Sequence, residues 1–233
     1  MKITIELRCP HCHSERIVKN GHKSNGTQNY QCKTCKKQFI SDHEKKYSGT
    51  LPWISSLIKM MIVRGNGVRD ISAILKIHIK TLLEVLRKAK YQITPKRTHY
   101  DCLEIDEFWT YVGRKSNKKW LLYAYHRETG EIVAYVWGKR DKRTANKLRK
   151  RLKKQGITYD SIAIDNWEAF KAAFKDNKKL VGKQYTVGIE GNTCRLRHRL
   201  RRFFRKTCCF SKKPFYHFKA FDLTCFYINF GFL

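Results

Sequence analysis

The stretch that decides the fold of the N-terminal part is Cys9-Pro-His-Cys12 followed by Cys32-Lys-Thr-Cys35. These are two CxxC pairs with nineteen residues, 13–31, between them, the spacing of a tetrahedral site in which four thiolates hold one zinc ion. A site with four protein ligands has no open coordination position. We therefore expect one structural Zn²⁺, without a part in catalysis, held by Cys9, Cys12, Cys32 and Cys35.

The residues between the two pairs have the pattern of a small antiparallel sheet. Strand-like pieces at Ile17-Val18 and Tyr30-Gln31 flank a turn at Asn25-Gly26. Together with the metal ligands, this pattern predicts a zinc ribbon over residues 1–45.

The cysteines occur without a secretion signal. Residues 1–8 contain no apolar signal region, and no stretch reaches the roughly 18 uncharged apolar residues needed to cross a bilayer. We therefore expect reduced thiols, so that the paired cysteines are metal ligands rather than disulfides. The prediction is a cytoplasmic protein without a membrane partner.

The charge of the chain is strongly unbalanced. Lys and Arg outnumber Asp and Glu by 50 to 19, a formal net charge of +31. Such self-repulsion is tolerated when a polyanion neutralises it, and nucleic acid is the obvious polyanion. The alternative is a ribosome-associated or merely basic protein, because net charge reports on partners and not on chemistry.

The next segment has apolar residues at helical spacing. A first run begins after Pro52 and stops at Gly65-Asn66-Gly67, and two shorter amphipathic segments follow, joined at Ile77-His78. This pattern predicts an all-α helix-turn-helix domain over residues 46–92. Its third helix would turn a groove-reading surface outward that includes Lys80, Thr81, Arg87 and Lys88. A three-helix packing unit with a solvated basic face would have the same pattern, so the sequence does not decide between the two interpretations.

The rest of the chain has alternating strand and helix patterns. Residues 93–100 show little apolar periodicity and are predicted to be a linker. Beyond them we expect strands at 103–112, 120–126, 132–137, 161–164 and 184–188, and helices at 141–155, 167–174 and 190–206. This is the element order of a ribonuclease-H-like α/β domain with a mixed five-stranded sheet, assigned to residues 101–233 with basic C-terminal helices.

Acidic residues are scarce, so their positions are informative. Asp106 lies in the first predicted strand, Asp165 at the end of the fourth and Glu190 at the start of the last long helix. The predicted fold would bring them to one sheet edge, where clustered carboxylates could bind two Mg²⁺ ions. The alternative makes them surface charges. The pattern also leaves other acids on the first strand as rivals for the first ligand: Asp101, Glu104 and Glu107.

A basic run follows Glu190. Residues 191–221 contain no carboxylate but many cations, among them Arg195, Arg197 and Arg201. One sign of charge beside a metal cluster is typical of contact with a phosphate backbone.

Taken in order, these motifs resemble the transposases of the insertion-sequence-one family of bacterial and archaeal mobile elements. The resemblance covers essentially the whole chain. Beyond the two CxxC pairs it includes Gly67-Val-Arg-Asp-Ile71, Ile105-Asp-Glu-Phe-Trp-Thr-Tyr-Val-Gly113, Trp120-Leu-Leu-Tyr-Ala-Tyr125, Ile164-Asp-Asn-Trp167, and Ile189-Glu-Gly-Asn192 through Phe210-Ser-Lys212.

The resemblance implies a DDE transposase in which Asp106, Asp165 and Glu190 form the catalytic triad, and it favours Asp106 over Glu107. It implies two catalytic Mg²⁺ ions, replaceable by Mn²⁺, and a role for Arg197 in holding DNA near them. The family commonly has Asn three residues after the Glu, where this chain has Thr193.

The resemblance further implies double-stranded DNA as the partner. The zinc ribbon and helix-turn-helix would recognise terminal inverted repeats, and the triad would cleave strands and join them to target DNA. Because two ends must meet, we expect at least a homodimer on DNA, in the cytoplasm at the nucleoid. Two alternatives are a catalytically inactive DNA-binding regulator and a nuclease that cuts without joining.

Overall fold

A computed structural model describes residues 7–41, 47–203 and 209–233 of the chain. Its N-terminal part is a three-stranded antiparallel sheet of β1 (Ile17–His22), β2 (Gln28–Cys32) and β3 (Gln38–Phe39). The predicted strand pieces and the turn between them are confirmed. The strands carry few buried side chains, so a metal centre is the natural source of stability for this small unit.

Three helices follow, α1 (Ile54–Val63), α2 (Val68–Leu75) and α3 (Ile79–Lys88). The predicted break between the first two is confirmed at Gly65, whose φ of 85° suits glycine. The helices bury a common apolar core that includes Ile58, Leu82 and Leu86. A long C-terminal helix, α7 (Pro214–Phe230), contributes Ala220 and Leu223 to the same core.

The larger part of the chain is built on a mixed five-stranded sheet, as predicted. Its strands are β4 (His99–Tyr111), β5 (Lys118–His126), β6 (Glu131–Gly138), β7 (Thr158–Ile164) and β8 (Lys178–Val181). They lie in the order β6-β5-β4-β7-β8. The pairs β4–β5 and β5–β6 are antiparallel, whereas β4–β7 and β7–β8 are parallel.

Helices cover both faces of this sheet. On one face α4 (Lys142–Lys154) and α5 (Glu168–Ala173) pack over Leu103 and Ile105 of β4. On the other face α6 (Val187–Arg199) and α7 pack over Phe108 and Tyr123. The Asp141 carboxylate caps α4 by accepting from the Thr144 N–H at 2.7 Å, the predicted start of that helix.

The prediction for the fifth strand was wrong. We expected it at 184–188, but the strand lies at 178–181, residues 183–185 form a 3-10 turn, and α6 begins at Val187. The observed strand is a short, lysine-rich edge strand, and such strands lack the apolar alternation on which the prediction depended. The predicted long helix also ends earlier, at Arg199, and residues 204–206 of that prediction lie outside the described part.

Over the ranges that the structure describes, no helix is both long and apolar enough to cross a lipid bilayer.

Candidate active site and metal centre

The four predicted zinc ligands come together between the two CxxC turns. Cys9 Sγ lies 3.6 Å from Cys35 Sγ, and Cys12 Sγ lies 3.6 Å from Cys32 Sγ. All four sulfurs lie within 4.8 Å of one another. Tetrahedral bonds of about 2.3 Å would place neighbouring sulfurs about 3.8 Å apart, so this thiol set fits one zinc ion.

The backbone of the turns favours thiolate at this centre. The N–H groups of Cys35 and Thr34 point at the Cys32 sulfur and lower the pKa of Cys32 to about 6, although burial opposes the shift. The two turns are joined by their hydroxyl groups, with Ser14 Oγ 2.8 Å from Thr34 Oγ1. Cys12 is shifted in the opposite direction: although the Ser14 N–H lowers its pKa, burial and the neighbouring sulfurs of Cys32, Cys35 and Cys9 raise it to about 12. The turns therefore favour thiolate at Cys32 and not at every ligand.

Asp106 and Asp165 lie side by side on neighbouring strands. The parallel ladder of β4 and β7 pairs Ile105 with Ile164, so the next residue on each strand is one of the two aspartates. Adjacent strands lie about 4.8 Å apart, which places the two residues close together at the end of β7. The Asp165 carboxylate also accepts from the Trp167 N–H at 3.1 Å, which orients it at the strand end.

Glu190 is brought to this edge by a contact that the sequence did not reveal. The buried Glu104 carboxylate accepts from the Ile189 N–H and from Arg127 Nε, each at 2.6 Å. It therefore ties the first turn of α6 to β4, one residue before Glu190. A Cβ atom at Gly188 would lie 2.7 Å from Glu104 Oε1, so a side chain there would displace the Glu104 carboxylate. The unpredicted role of Glu104 is to position the helix that carries Glu190.

The acidic residues of β4 differ in whether a basic side chain pairs with them. Asp101 is 2.7 Å from His126 Nε2, Glu104 pairs with Arg127, and Glu107 accepts from Arg140 Nε at 2.7 Å on the opposite face of the sheet. Among the described residues Asp106 has no basic partner, and its carboxylate accepts from the N–H of Glu107. Asp106 is thus the acid of this strand whose charge is left for an external cation.

The electrostatics of Asp106 favour cation binding. Burial, followed by the charges of Glu107, Asp165 and Glu190, raises the pKa of Asp106 to about 7, although the Glu107 N–H opposes the shift. Carboxylate oxygens are the ligands that Mg²⁺ prefers. In contrast to the four thiols, Asp106, Asp165 and Glu190 do not form a set, within the described ranges, whose ligand atoms all lie within 4.8 Å of one another. The structure places them within Coulomb range and not in mutual contact.

A second set of possible metal ligands lies near the start of β4. Ligand atoms of Asp101, His126 and Glu128 lie within 4.8 Å of one another. Both ring nitrogens of the buried His126 already have partners, Asp101 at 2.7 Å and Thr129 Oγ1 at 2.9 Å. The arrangement is that of a histidine satisfied by hydrogen bonds.

A cleft of about 480 Å³ opens beside Asp165, with Arg140, Trp167 and Lys183 in its lining. The Arg140 guanidinium carbon lies 4.5 Å from the Trp167 ring centre and 5.6 Å from that of Trp120. Cations and an aromatic face beside an acid suit a nucleotide and its phosphate. No sequence pattern predicted this position of Arg140, because its approach to Glu107 depends on how β6 is placed across the sheet.

The predicted DNA-binding residues of α3 have different surroundings. Lys80 is exposed and lines a cleft of about 810 Å³ together with Lys88 and two further lysines, Lys59 and Lys90. Arg87 and Lys88 are exposed but pair with Glu84 on the same helix. Thr81 is half-buried, and its Oγ1 lies 2.8 Å from the Tyr47 hydroxyl. Lys80 is therefore the most accessible of the four to a phosphate.

The basic residues of α6 and the turn after it also divide into two groups. Arg195 is half-buried and donates to Asn192 Oδ1 at 2.6 Å and to the Gly130 carbonyl at 3.2 Å, which ties α6 to the β5–β6 turn. Arg197 and Arg201 are exposed. Arg195 therefore stabilises the fold through these contacts.

Two family models match this chain. The model described as IS1 transposase matches residues 100–229, which are 130 of the 233 residues, and the model described as InsA N-terminal domain matches residues 3–36. The chain belongs to the IS1 transposase family. It also carries the zinc ribbon of the InsA type.

Similar proteins of the IS1 transposase family include the insertion element iso-IS1n protein InsB of Shigella dysenteriae. It is 38% identical over 117 residues, which are 50% of this chain and 88% of that protein. The insertion element IS1 9 protein InsB of Escherichia coli strain K12 is 34% identical over 147 residues, 61% of this chain and 86% of that protein. Among solved structures, the Drosophila P element transposase strand transfer complex has a TM-score of 0.34 at 14% identity, over 55% of this chain and 40% of that chain.

This member of the IS1 transposase family accommodates Thr193 at the position where Asn is common. Thr193 is buried in α6, and its Oγ1 lies 2.6 Å from the Tyr123 hydroxyl, which also donates to the Ile189 carbonyl at 3.0 Å. The threonine thus ties α6 to β5, and the helix around Glu190 stays regular.

Proposed function

We propose that this chain is a DDE transposase in which Asp106, Asp165 and Glu190 form the catalytic triad. The observation that carries the proposal is that Asp106 and Asp165 each directly follow the paired residues Ile105 and Ile164 of β4 and β7, while Glu104 of β4 holds the first turn of α6 against the same strand. Asp106 lacks a basic partner among the described residues, which is expected of a carboxylate that binds a metal ion.

The proposed domain organisation follows the same elements. We assign residues 1–45 to the zinc ribbon, 46–92 to a helix-turn-helix domain and 101–233 to a ribonuclease-H-like catalytic domain. The strand order, with three antiparallel strands followed by two parallel ones, supports the last assignment. In the proposed linker, 93–100, Ile93 is buried against the sheet and the Lys96 N–H donates to Glu131 Oε1 at 2.7 Å, so the linker holds the parts in contact.

The triad would hold two divalent cations, Mg²⁺ or Mn²⁺. When bound, such ions activate the attacking oxygen and stabilise the leaving oxygen of a phosphodiester. The residues of the chain itself would position the DNA, because Arg140, Lys183 and the aromatic ring of Trp167 line the cleft beside Asp165.

DNA recognition would involve the N-terminal parts. We propose that the zinc ribbon and α3, through Lys80, Thr81, Arg87 and Lys88, bind the terminal inverted repeats, with Thr81 acting through its hydroxyl contact to Tyr47. Arg195, Arg197 and Arg201 would lie beside the DNA near the metal ions. Strand transfer into target DNA requires two ends, so we propose a homodimer or larger assembly on DNA, acting in the cytoplasm at the nucleoid.

The direct test is strand cleavage and joining by Asp165→Asn on duplexes that carry the element's terminal repeats. Loss of a metal ligand removes several kcal/mol of transition-state stabilisation, so cleavage should fall by more than about a hundredfold. Asp160→Asn, an exposed residue of the same strand, is the matched control and should keep full activity. Equal cleavage by both variants would refute the triad.

The same assay separates the alternatives. Specific binding without cleavage by the wild-type chain, under either Mg²⁺ or Mn²⁺, would indicate a DNA-binding regulator. Cleavage without joining of precut ends would indicate a nuclease.

A further inference from the structure

A group of buried polar atoms near the start of α7 has no hydrogen-bond partner among the described residues. It includes Nε and Nη1 of Arg202, Oγ of Ser211 and both ring nitrogens of His217. Ser211 is only 2% exposed. Buried polar groups are hydrogen-bonded in the great majority of cases, so a cluster without partners points to a missing ligand.

The backbone holds Arg202 and Ser211 next to each other. The Ser211 N–H donates to the Arg202 carbonyl at 3.3 Å, and the Ser211 carbonyl accepts from the Gly113 N–H at 2.8 Å. Thr110 Oγ1 donates to the Phe203 carbonyl at 2.8 Å. Both segments are thus fixed to the end of β4, so the two side chains lie on a rigid support and not on a free loop.

These two residues line a cleft of about 710 Å³ between the start of α2, the start of α3 and residues 209–216. Its other cations are Arg69, Lys212 and Lys213. Its one acid, Asp70, accepts from the Gly67 N–H at 3.3 Å. The 17-residue α7 begins at this cleft without a side-chain cap, so its N-terminal dipole adds positive potential.

The charge of Arg202 is not balanced by a described carboxylate. Burial lowers the pKa of Arg202 to about 10, which still leaves the guanidinium charged near neutral pH. His217 is stacked on Phe203 with ring centres 3.8 Å apart, and burial, Arg202 and Lys119 lower its pKa to about 3. A buried, uncompensated cation is costly, so an anion that reaches Arg202 would be stabilised by its charge.

We infer that this cleft binds a phosphate group of the DNA backbone, with Arg202 and Ser211 as hydrogen-bond donors and Arg69, Lys212 and Lys213 around them. The identity of the anion rests on the proposed function, whereas the anion site itself rests on the structure. Because Ile79 and Leu83 of α3 form the opposite wall, one strand could contact α3 and the end of the catalytic sheet together. The Phe210-Ser-Lys212 motif would thus supply a hydrogen-bond donor and a cation to the phosphate site.

The test is binding of the full-length Arg202→Met chain to terminal-repeat duplex over a series of salt concentrations, without divalent cations. Each neutralised phosphate contributes about 0.9 to the slope of log affinity against log salt, so the slope should fall by about that amount. Arg143→Met, which removes an exposed charge from α4, is the matched control and should keep the wild-type slope. The melting temperature of the DNA-free Arg202→Met chain should not fall, because the removed charge is unpaired.

A second arm uses inorganic phosphate alone, which should raise the melting temperature of the wild-type chain and of Arg143→Met but not of Arg202→Met. Ser211→Ala removes a single oxygen atom and should weaken both phosphate and duplex binding while the chain stays folded. An unchanged salt slope in Arg202→Met, together with wild-type duplex affinity in Ser211→Ala, would overturn the DNA contact even if free phosphate binds. A lower melting temperature of both variants without DNA would show a structural role instead.

Duplex binding that depends on Arg202, in a chain that never cuts, would refute the catalytic proposal and leave this inference intact.

Discussion

Glu104 of β4 accepts a 2.6 Å hydrogen bond from the backbone N–H of Ile189 in the first turn of α6, across 85 residues of sequence. The same carboxylate pairs with Arg127 and is almost fully buried. Through this contact the strand that carries Asp106 sets the position of the helix that carries Glu190.

Substitution of Glu104 by Gln should therefore affect both stability and activity. The change removes the ion pair and weakens a charge-assisted hydrogen bond, at a cost of about 2 kcal/mol in the free energy of unfolding. Urea unfolding would measure the cost, and Mg²⁺-dependent cleavage should fall because Glu190 is displaced. Glu128→Gln, at an exposed position, should change neither quantity; a Glu104→Gln chain with wild-type stability would contradict the role of this contact.

Gly188→Ala tests the same contact from the helix side. The new Cβ would lie 2.7 Å from Glu104 Oε1 and 2.8 Å from Arg127 Nε, so the ion pair or the helix must move. Gly191→Ala is the control, because a Cβ there meets nothing within 4 Å. We expect Gly188→Ala to lower the melting temperature and cleavage, and Gly191→Ala to raise stability by about 0.5–1 kcal/mol through helix propensity. Equal effects at the two glycines would argue against a tight approach.

Asp106→Asn should stabilise the metal-free protein while it abolishes cleavage. The pKa of Asp106 is raised from 3.8 to about 7 by burial and neighbouring carboxylates, so ionisation costs folding free energy. Below about pH 4 the Asp106 carboxyl is protonated in the folded and in the unfolded chain, so the variant should have no extra stability there. Its gain in the free energy of unfolding should grow towards pH 7 and then level off. Urea midpoints at pH 4, 6 and 8 would measure this, and added Mg²⁺ should stabilise only the wild-type chain. An advantage independent of pH would contradict the assignment.

Removal of zinc should weaken binding to the terminal repeats before it harms the catalytic domain. Cys32→Ser takes away one of the four thiols, and the ribbon has little apolar core to keep it folded. Three measurements on the same preparation would check this. Metal analysis should show loss of zinc, and duplex binding should be weaker. Thermal unfolding should still show the main transition, that of the catalytic domain. Cys102→Ser, outside the ribbon, is the control. Unchanged repeat binding after demonstrated zinc loss would refute the role of the ribbon.

Local patterns predicted the elements that depend on local interactions. The break at Gly65 and the Asp141 cap are properties of a few neighbouring residues, so α1 to α4 were placed to within two residues at most ends. The strand β8 was misplaced because its lysines make it polar at the sheet edge, where pairing with β7 and not composition holds it.

The cluster of four thiols could be predicted from the sequence, because two CxxC turns at this spacing bring four sulfurs to one point. It also narrowed the metal-binding acids to a few candidates. The family resemblance, and not the strand pattern, favoured Asp106 among the acids of β4. The tertiary structure adds that Asp106 and Asp165 each follow the paired residues Ile105 and Ile164. It also shows that Glu104 and Glu107 form ion pairs with Arg127 and Arg140. Arg202 is a second example. In the sequence it is one more cation in a basic run, and the structure shows that its guanidinium is buried. Burial and pairing arise from contacts between distant segments, and no local pattern encodes them.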